Sequence, residues 1–290
     1  MAVPLLRLTR CFAAVVLVAS LCACALPNTS GDFSVNTATT AAALTTLTSQ
    51  LTQQPPSQVI LLGEQHDIPE HQRLHHSAVL ALSGKHQLAA LAIEMAEQGQ
   101  TTGSLPPSAD EAAVRAVLNW DTDAWPWVAY GPAVMAAVRA GVPVLGANLA
   151  RAQWRDAMQD TTLDAQLPAP ALLDQQQAIR TGHCDLLPES QVAPMTRIQI
   201  ARDRAMASTI KNAAQPGKTV LLLAGHGHVN RALGVPQHLP PGFTSQAILL
   251  EAATLSSPSK SNGPFDTTWS LGTAPPTDYC AEFTASRPRL

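Results

Sequence analysis

The sequence predicts an α/β fold: a mainly parallel β-sheet flanked by helices, with a helical insertion over about residues 99–190. Three observations carry this. Short, wholly apolar runs recur at Val59-Ile60-Leu61-Leu62, Ala90-Leu91-Ala92-Ile93, Val142-Pro143-Val144-Leu145-Gly146-Ala147 and Val220-Leu221-Leu222-Leu223-Ala224-Gly225. They have the length of strands buried on both faces, as parallel strands are. Stretches of helical periodicity separate them, the alternation expected of a parallel sheet covered on both sides. Each run also stops at polar residues: Glu64, Gln65, His66 and Asp67 after the first, Glu94 after the second, Asn148 after the third, and His226-Gly227-His228 after the fourth. Open α/β sheets place ligands at the carboxyl ends of their strands, so the four runs predict one cleft.

The elements follow in chain order. Arg7 and Arg10 precede an apolar run, residues 11–19, too short to span a bilayer, which reads as a signal peptide over residues 1–23. Leu21-Cys22-Ala23-Cys24 resembles a bacterial lipobox, with Cys24 as the lipidated residue and membrane anchor. Ala25 rather than Asp follows it, so in a Gram-negative cell the expected location is the outer membrane, facing the periplasm. Residues 24–57, rich in Thr, Ala, Ser, Gln and Pro, read as a tether carrying a weak helix near residues 40–51. The domain proper is expected over 58–255. A helix begins at Pro69 and runs to about Leu82, with Asp67 as its expected cap. Further helices are expected over 110–119, 128–140, from 151, over 168–180 and over 191–212. A fifth apolar run covers 246–250, and the tail, 256–290, carries expected edge strands near Trp269 and Tyr279.

Composition narrows the function classes. The chain has 290 residues, 46% hydrophobic and 13% charged, enough for a substantial core, and a formal net charge of −3. With no Lys/Arg run, nothing favours nucleic acid as a partner. There is no Gly-x-Ser-x-Gly elbow, phosphate loop, dinucleotide glycine fingerprint or Cys-x-x-Cys-His haem attachment. Once the signal is removed and Cys24 is lipidated, Cys184 and Cys280 remain; in an oxidising compartment they are able to pair, but sequence does not test their geometry.

The strand-end residues admit two chemistries. Glu64, His66, Glu94 and His228 offer oxygen and nitrogen donors for a divalent metal, or a carboxylate–imidazole general base, with Asp67 placed to orient the His66 ring. His71 and His75 lie four apart on one helix face, with His76 adjacent; a solvated face is the simpler expectation, a secondary metal site the alternative. On the 191–212 helix, which also carries Gln199 and Asp203, Arg202 is expected to form a salt bridge within its helix or to a neighbouring one, with a ligand's carboxylate or propionate as the alternative.

The separated blocks Leu62-Gly63-Glu64-Gln65-His66-Asp67, Ile93-Glu94-Met95, Tyr130-Gly131-Pro132, Asn148-Leu149-Ala150-Arg151, Gln199-x-x-Arg202-Asp203 and Gly225-His226-Gly227-His228-Val229 resemble the ChaN family of haem-binding lipoproteins, within the Tiki, TraB and erythromycin-esterase-like superfamily. The resemblance covers about residues 58–240. It implies a membrane-anchored haem-binding protein of haem or iron uptake, with haem held between two protomers of a homodimer. The wider superfamily implies instead a metal-dependent hydrolase using Glu64, His66, Glu94 and His228, with His226 at a variable position. For haem, Tyr130, Arg202 and His183 are the candidate contacts; tyrosinate is a good ferric ligand, and Tyr130 and Tyr279 are the two tyrosines.

Overall fold

The computed structural model describes residues 33–53, 57–252, 259–260, 263–272 and 278–281. The signal peptide and Cys24 lie outside the described residues. In chain order the elements are α1 (Phe33–Gln53), β1 (Val59–Glu64), α2 (Pro69–Gly84), β2 (Leu88–Glu97), α3 (Glu111–Val117), α4 (Trp127–Arg139) and β3 (Val144–Asn148). They continue with α5 (Trp154–Gln159), α6 (Ala169–Gly182), α7 (Glu189–Ala213), β4 (Thr219–Gly225), α8 (His226–Val229), β5 (Ser245–Glu251), β6 (Ser259–Lys260) and β7 (Thr267–Ser270).

The strands form one sheet in the order β3-β2-β4-β1-β5-β7-β6. Six are parallel, and only the two-residue β6 runs antiparallel, at the edge beside β7. Every residue of β1 is buried, and all but Gly225 in β4, because helices cover both faces. At roughly 2 kcal/mol for each fully buried Leu or Val side chain, these two strands anchor the fold.

Alternate strand residues feed two cores. Ile60, Leu62, Leu91, Ile93, Leu221 and Leu223 face one side, where α1, α2 and α4 pack; Val59, Leu61, Val220 and Leu222 face the other, against Met206, Ala207 and Ile210 of α7. A smaller third core joins Ala157 of α5, Leu163 and Leu167 to Ile198 and Ile200 of α7. The helices of the 99–190 stretch pack in two places. Residues of α3 and α4 belong to the first face, β3 intervenes, and α5 and α6 build the small third core on α7.

Local signals hold with two corrections. Pro69 starts α2, but its capping position is Ile68, and no side chain caps it. Trp269 lies in β7 as expected, whereas Tyr279 stands in a short helical turn rather than a strand. Cys184 and Cys280 form a disulfide across 96 residues of sequence, with 5.5 Å between their Cα atoms. In the chain-entropy view a loop of this size contributes about 4–5 kcal/mol by restricting the unfolded state.

Candidate functional site

The order β3-β2-β4-β1 sets side by side the four strands that carry, at or near their carboxyl ends, Asn148, Glu94, His226/His228 (in α8, directly after β4) and Glu64. The site is built from two clusters. In the first, Glu64 at the end of β1 is wholly buried. Its Oε1 lies 2.7 Å from His66 Nδ1 and accepts a hydrogen bond from the Tyr130 hydroxyl at 2.7 Å; its Oε2 accepts from the Gln72 amide at 2.9 Å. His75 Nδ1 stands 3.5 Å from the same Oε2. Burial raises the Glu64 pKa, but His75, His66 and the Tyr130 hydroxyl together bring it below the usual carboxylate value. Burial and the neighbouring Glu64 charge push the Tyr130 phenol far above its ordinary value. His66 packs its edge on Trp125, with centroids 4.9 Å apart, and Trp125 in turn packs on Tyr130.

In the second cluster, Glu94 accepts from the Arg202 guanidinium at 2.5 Å and from the Gly225 amide at 2.7 Å, and its Oε1 lies 3.4 Å from His228 Nε2. His228 Nδ1 bonds Asp203 at 2.5 Å. Although burial opposes protonation, the two flanking carboxylates push the His228 pKa up to about 9, so at neutral pH it is an imidazolium. Glu94 is held well below the carboxylate range despite its burial, by His228 and Arg202. Asn148 joins the pieces, donating to the Glu94 backbone carbonyl and accepting from Arg202 Nε. Glycine is required where β4 leaves the sheet: a Cβ on Gly225 would lie 2.9 Å from His66 Nε2, and one on Gly63 2.9 Å from the backbone of His226. These two positions let the clusters approach.

The clusters open into a cavity of about 630 Å³ lined by His66, Asp67, Arg202, His226, His228 and Tyr279, among others. A second cavity of about 450 Å³ shares His66 and Asp67 and continues over Pro69, Arg73, His76, Val128 and Pro132. Val128 is 84% exposed, an apolar residue offered to solvent beside Arg73. The cleft mouth is thus a polar pit running into an apolar shelf. Tyr279 sits at its edge, 51% exposed, donating its hydroxyl to Asp67.

The predicted strand-end residues do converge, but with a different internal logic. Glu64, His66, Glu94 and His228 turn their donor atoms toward one another and toward Tyr130, Gln72, Arg202 and Asp203. No group of three His, Cys, Asp or Glu side chains is arranged to hold a metal ion among the described residues. The side chains expected as metal ligands instead pair with one another and with Tyr130, Gln72, Arg202 and Asp203, and the hydrolase alternative is not favoured. Asp67 does not orient His66, since Glu64 does and Asp67 faces Tyr279. His71 and His75 are buried at 0% exposure, not on a solvated face. Burial holds the His75 pKa down to about 4, leaving it neutral.

The candidate haem contacts separate by exposure. Tyr130 is 3% exposed with its hydroxyl committed to Glu64, so the side chain facing the cleft mouth is the other tyrosine, Tyr279. Arg202 lines the cavity but is already paired to Glu94. His183, half-buried at the end of α6, has Nδ1 2.7 Å from the Ile179 carbonyl; the neighbouring Gly182 is what lines the cavity. Sequence reasoning missed Gln72, His75 and Asp203 as partners of the strand-end groups. For Asp203 and His228 no local signal exists, since 25 residues separate them. Gln72 and His75 lie one helical turn apart on the α2 face that also carries Leu74, Ala78 and Val79, a pattern which marks them as inward-facing.

Against known proteins, residues 50–239 match the family described as haem-binding uptake, Tiki superfamily, ChaN. The chain belongs to that family. Among solved structures it is similar to the Campylobacter jejuni ChaN of a study of cofacial haem binding, with a TM-score of 0.58 and 22% identity over 77% of this chain and 90% of that one. At that identity the likeness establishes the shared fold. The type III effector HopBA1 gives a TM-score of 0.47 and 16% identity over 80% of this chain and 94% of that one. No match was found among functionally curated proteins.

Proposed function

We propose that this protein binds haem at the cleft mouth, as a membrane-anchored lipoprotein of haem or iron uptake. The observation that carries the reading is the family match over residues 50–239. The donor chemistry fits the group. An exposed phenol (Tyr279) and exposed imidazoles (His66, His226) are axial ligands of the kind ferric haem accepts. The apolar shelf at Pro69, Val128 and Pro132 suits a porphyrin face, and the exposed Arg73, whose Nη1 donates to Glu70 at 2.7 Å, has further N–H donors for a propionate. Arg202 contributes less to a propionate than sequence reasoning expected, because Glu94 neutralises it. The buried pairs behind the mouth hold His66 in place rather than react.

The lipobox-like Leu21-Cys22-Ala23-Cys24 followed by Ala25 supports lipidation at Cys24 and an outer-membrane location facing the periplasm in a Gram-negative cell, and the cofacial haem of Campylobacter jejuni ChaN supports a homodimer. The first test is a titration of the purified full chain with hemin, followed in the Soret region. Saturable binding is expected, lost or spectrally shifted in Tyr279→Phe or His66→Ala and unchanged in Tyr130→Phe. Absence of saturation would overturn the reading. Palmitate labelling that persists in Cys24→Ala would overturn the anchor.

A further inference from the structure

Resting on the haem reading, we propose that the Cys184–Cys280 disulfide is a redox latch on the haem cleft. It holds Tyr279 at the mouth, and its reduction by a dithiol lowers the retention of bound haem.

The bond joins a helix end to the segment that carries Tyr279. Cys184 lies just past α6, where Cys184 and Asp185 adopt left-handed backbone at φ 59° and 55°. Their amides donate to the carbonyls of Thr181 and Arg180, each at 2.9 Å, the way a helix C-terminus is closed. This end is fixed by its own backbone, and Gly182, two residues before it, lines the cavity. The other end is Cys280, directly after Tyr279. That segment lies outside residues 50–239, so this chain supplies one wall of the cleft from beyond the family region.

The covalent bond therefore acts as a tether. It keeps Tyr279 at a high effective concentration beside Asp67, His66 and His226, and a surface hydrogen bond to Asp67 adds direction. Once the bond is broken, Tyr279 remains connected to the fold through the backbone that follows β7, which ends at Ser270, and through its hydrogen bond to Asp67, so its position at the mouth is less tightly restricted. The bond is also within reach of a reductant: Cys184 is half-buried and Cys280 exposed. Reduction does not involve iron. A dithiol gives two electrons and two protons to the sulfurs, the Cys184–Cys280 bond breaks into two thiols, and the dithiol closes to its own disulfide.

The test compares the full oxidised chain, Cys184→Ser/Cys280→Ser, Tyr279→Ala and the triple variant, all loaded with hemin. Haem loss is followed by transfer to an excess of apomyoglobin. Haem dissociation is expected to be at least tenfold faster in the double variant and in Tyr279→Ala, with the triple variant no faster than either. The serine pair isolates the bond from any reaction of a reducing agent with haem. In the haem-free chain, reduction is expected to raise hydrogen exchange at the amides of residues 278–281. Equal dissociation rates in the oxidised chain and the double variant, or unchanged exchange on reduction, would overturn the latch. Failure of the oxidised chain to take up hemin would instead overturn the haem reading, while exchange would still report whether the bond holds Tyr279 in place.

Discussion

Two histidines in this molecule are equally deprived of water yet carry opposite charge states. His75 and His228 are 0% and 4% exposed, and each stands near a carboxylate. Burial alone would make both neutral. His228 lies between two acids, Asp203 at 2.5 Å and Glu94 at 3.4 Å, and its pKa rises to about 9. His75 has one, Glu64 at 3.5 Å, already satisfied by Tyr130 and Gln72, and it also feels His71 and His66; its pKa falls to about 4. The number and commitment of the neighbours decide the charge, not depth. The cleft therefore has a charged wall at β2 and α7 and an essentially neutral histidine wall at α2.

The largest effect should come from breaking the charged wall. Glu94→Ala leaves Arg202 and His228 without their shared partner and should cost about 3–5 kcal/mol in chemical denaturation, as loss of one member of a buried ion network does. A loss below about 1 kcal/mol would mean that the wall is not held by charge.

Next come the two histidines, which predict opposite limbs of a stability–pH curve. His228 has a raised folded pKa, so its contribution is complete below about pH 6.5 and lost as pH rises through about 9. His75 has a depressed one, so its contribution is complete above about pH 6.5 and lost as pH falls through about 4. Each shift corresponds to roughly 3 kcal/mol at full extent. Thermal melts across pH 4–9 should show a maximum near pH 6.5, and His75→Leu should flatten only the acid side. An acid limb unaltered in that variant would place its origin elsewhere.

Smaller still, Tyr130→Phe removes one hydrogen bond to buried Glu64 and should destabilise by about 1–3 kcal/mol, leaving hemin titration unchanged. Reduced hemin affinity there would return Tyr130 to the binding surface. Gln199, whose amide lies 3.1 Å from His228 Nδ1, is half-buried, and Gln199→Ala should cost under about 1 kcal/mol by the same denaturation assay.

Much of this was legible in the chain itself. Apolar runs ending in Glu64, Glu94, Asn148 and His228 are local patterns, and parallel strands buried on both faces must be written that way. The separated blocks were enough to point to the family. Periodicity locates the helices of residues 99–190 but reports which face each buries, not which side of the sheet receives it. The polarity of His71 and His75 suggests a solvated face, whereas their α2 neighbours Leu74 and Val79 are better guides to its inward face.

By itself the sequence determined the strands, the residues at their ends and the presence of two cysteines able to pair. Tertiary structure alone decided that β3, β2, β4 and β1 lie adjacent, that Asp203 meets His228, that Glu64 commits Tyr130, and that Tyr279 reaches the cleft beside the Cys184–Cys280 bond. The physical reason is range. Hydrophobic periodicity is set within a few residues, whereas charge state and partner choice depend on groups 25 to 96 residues apart that only packing brings within 3 Å of one another.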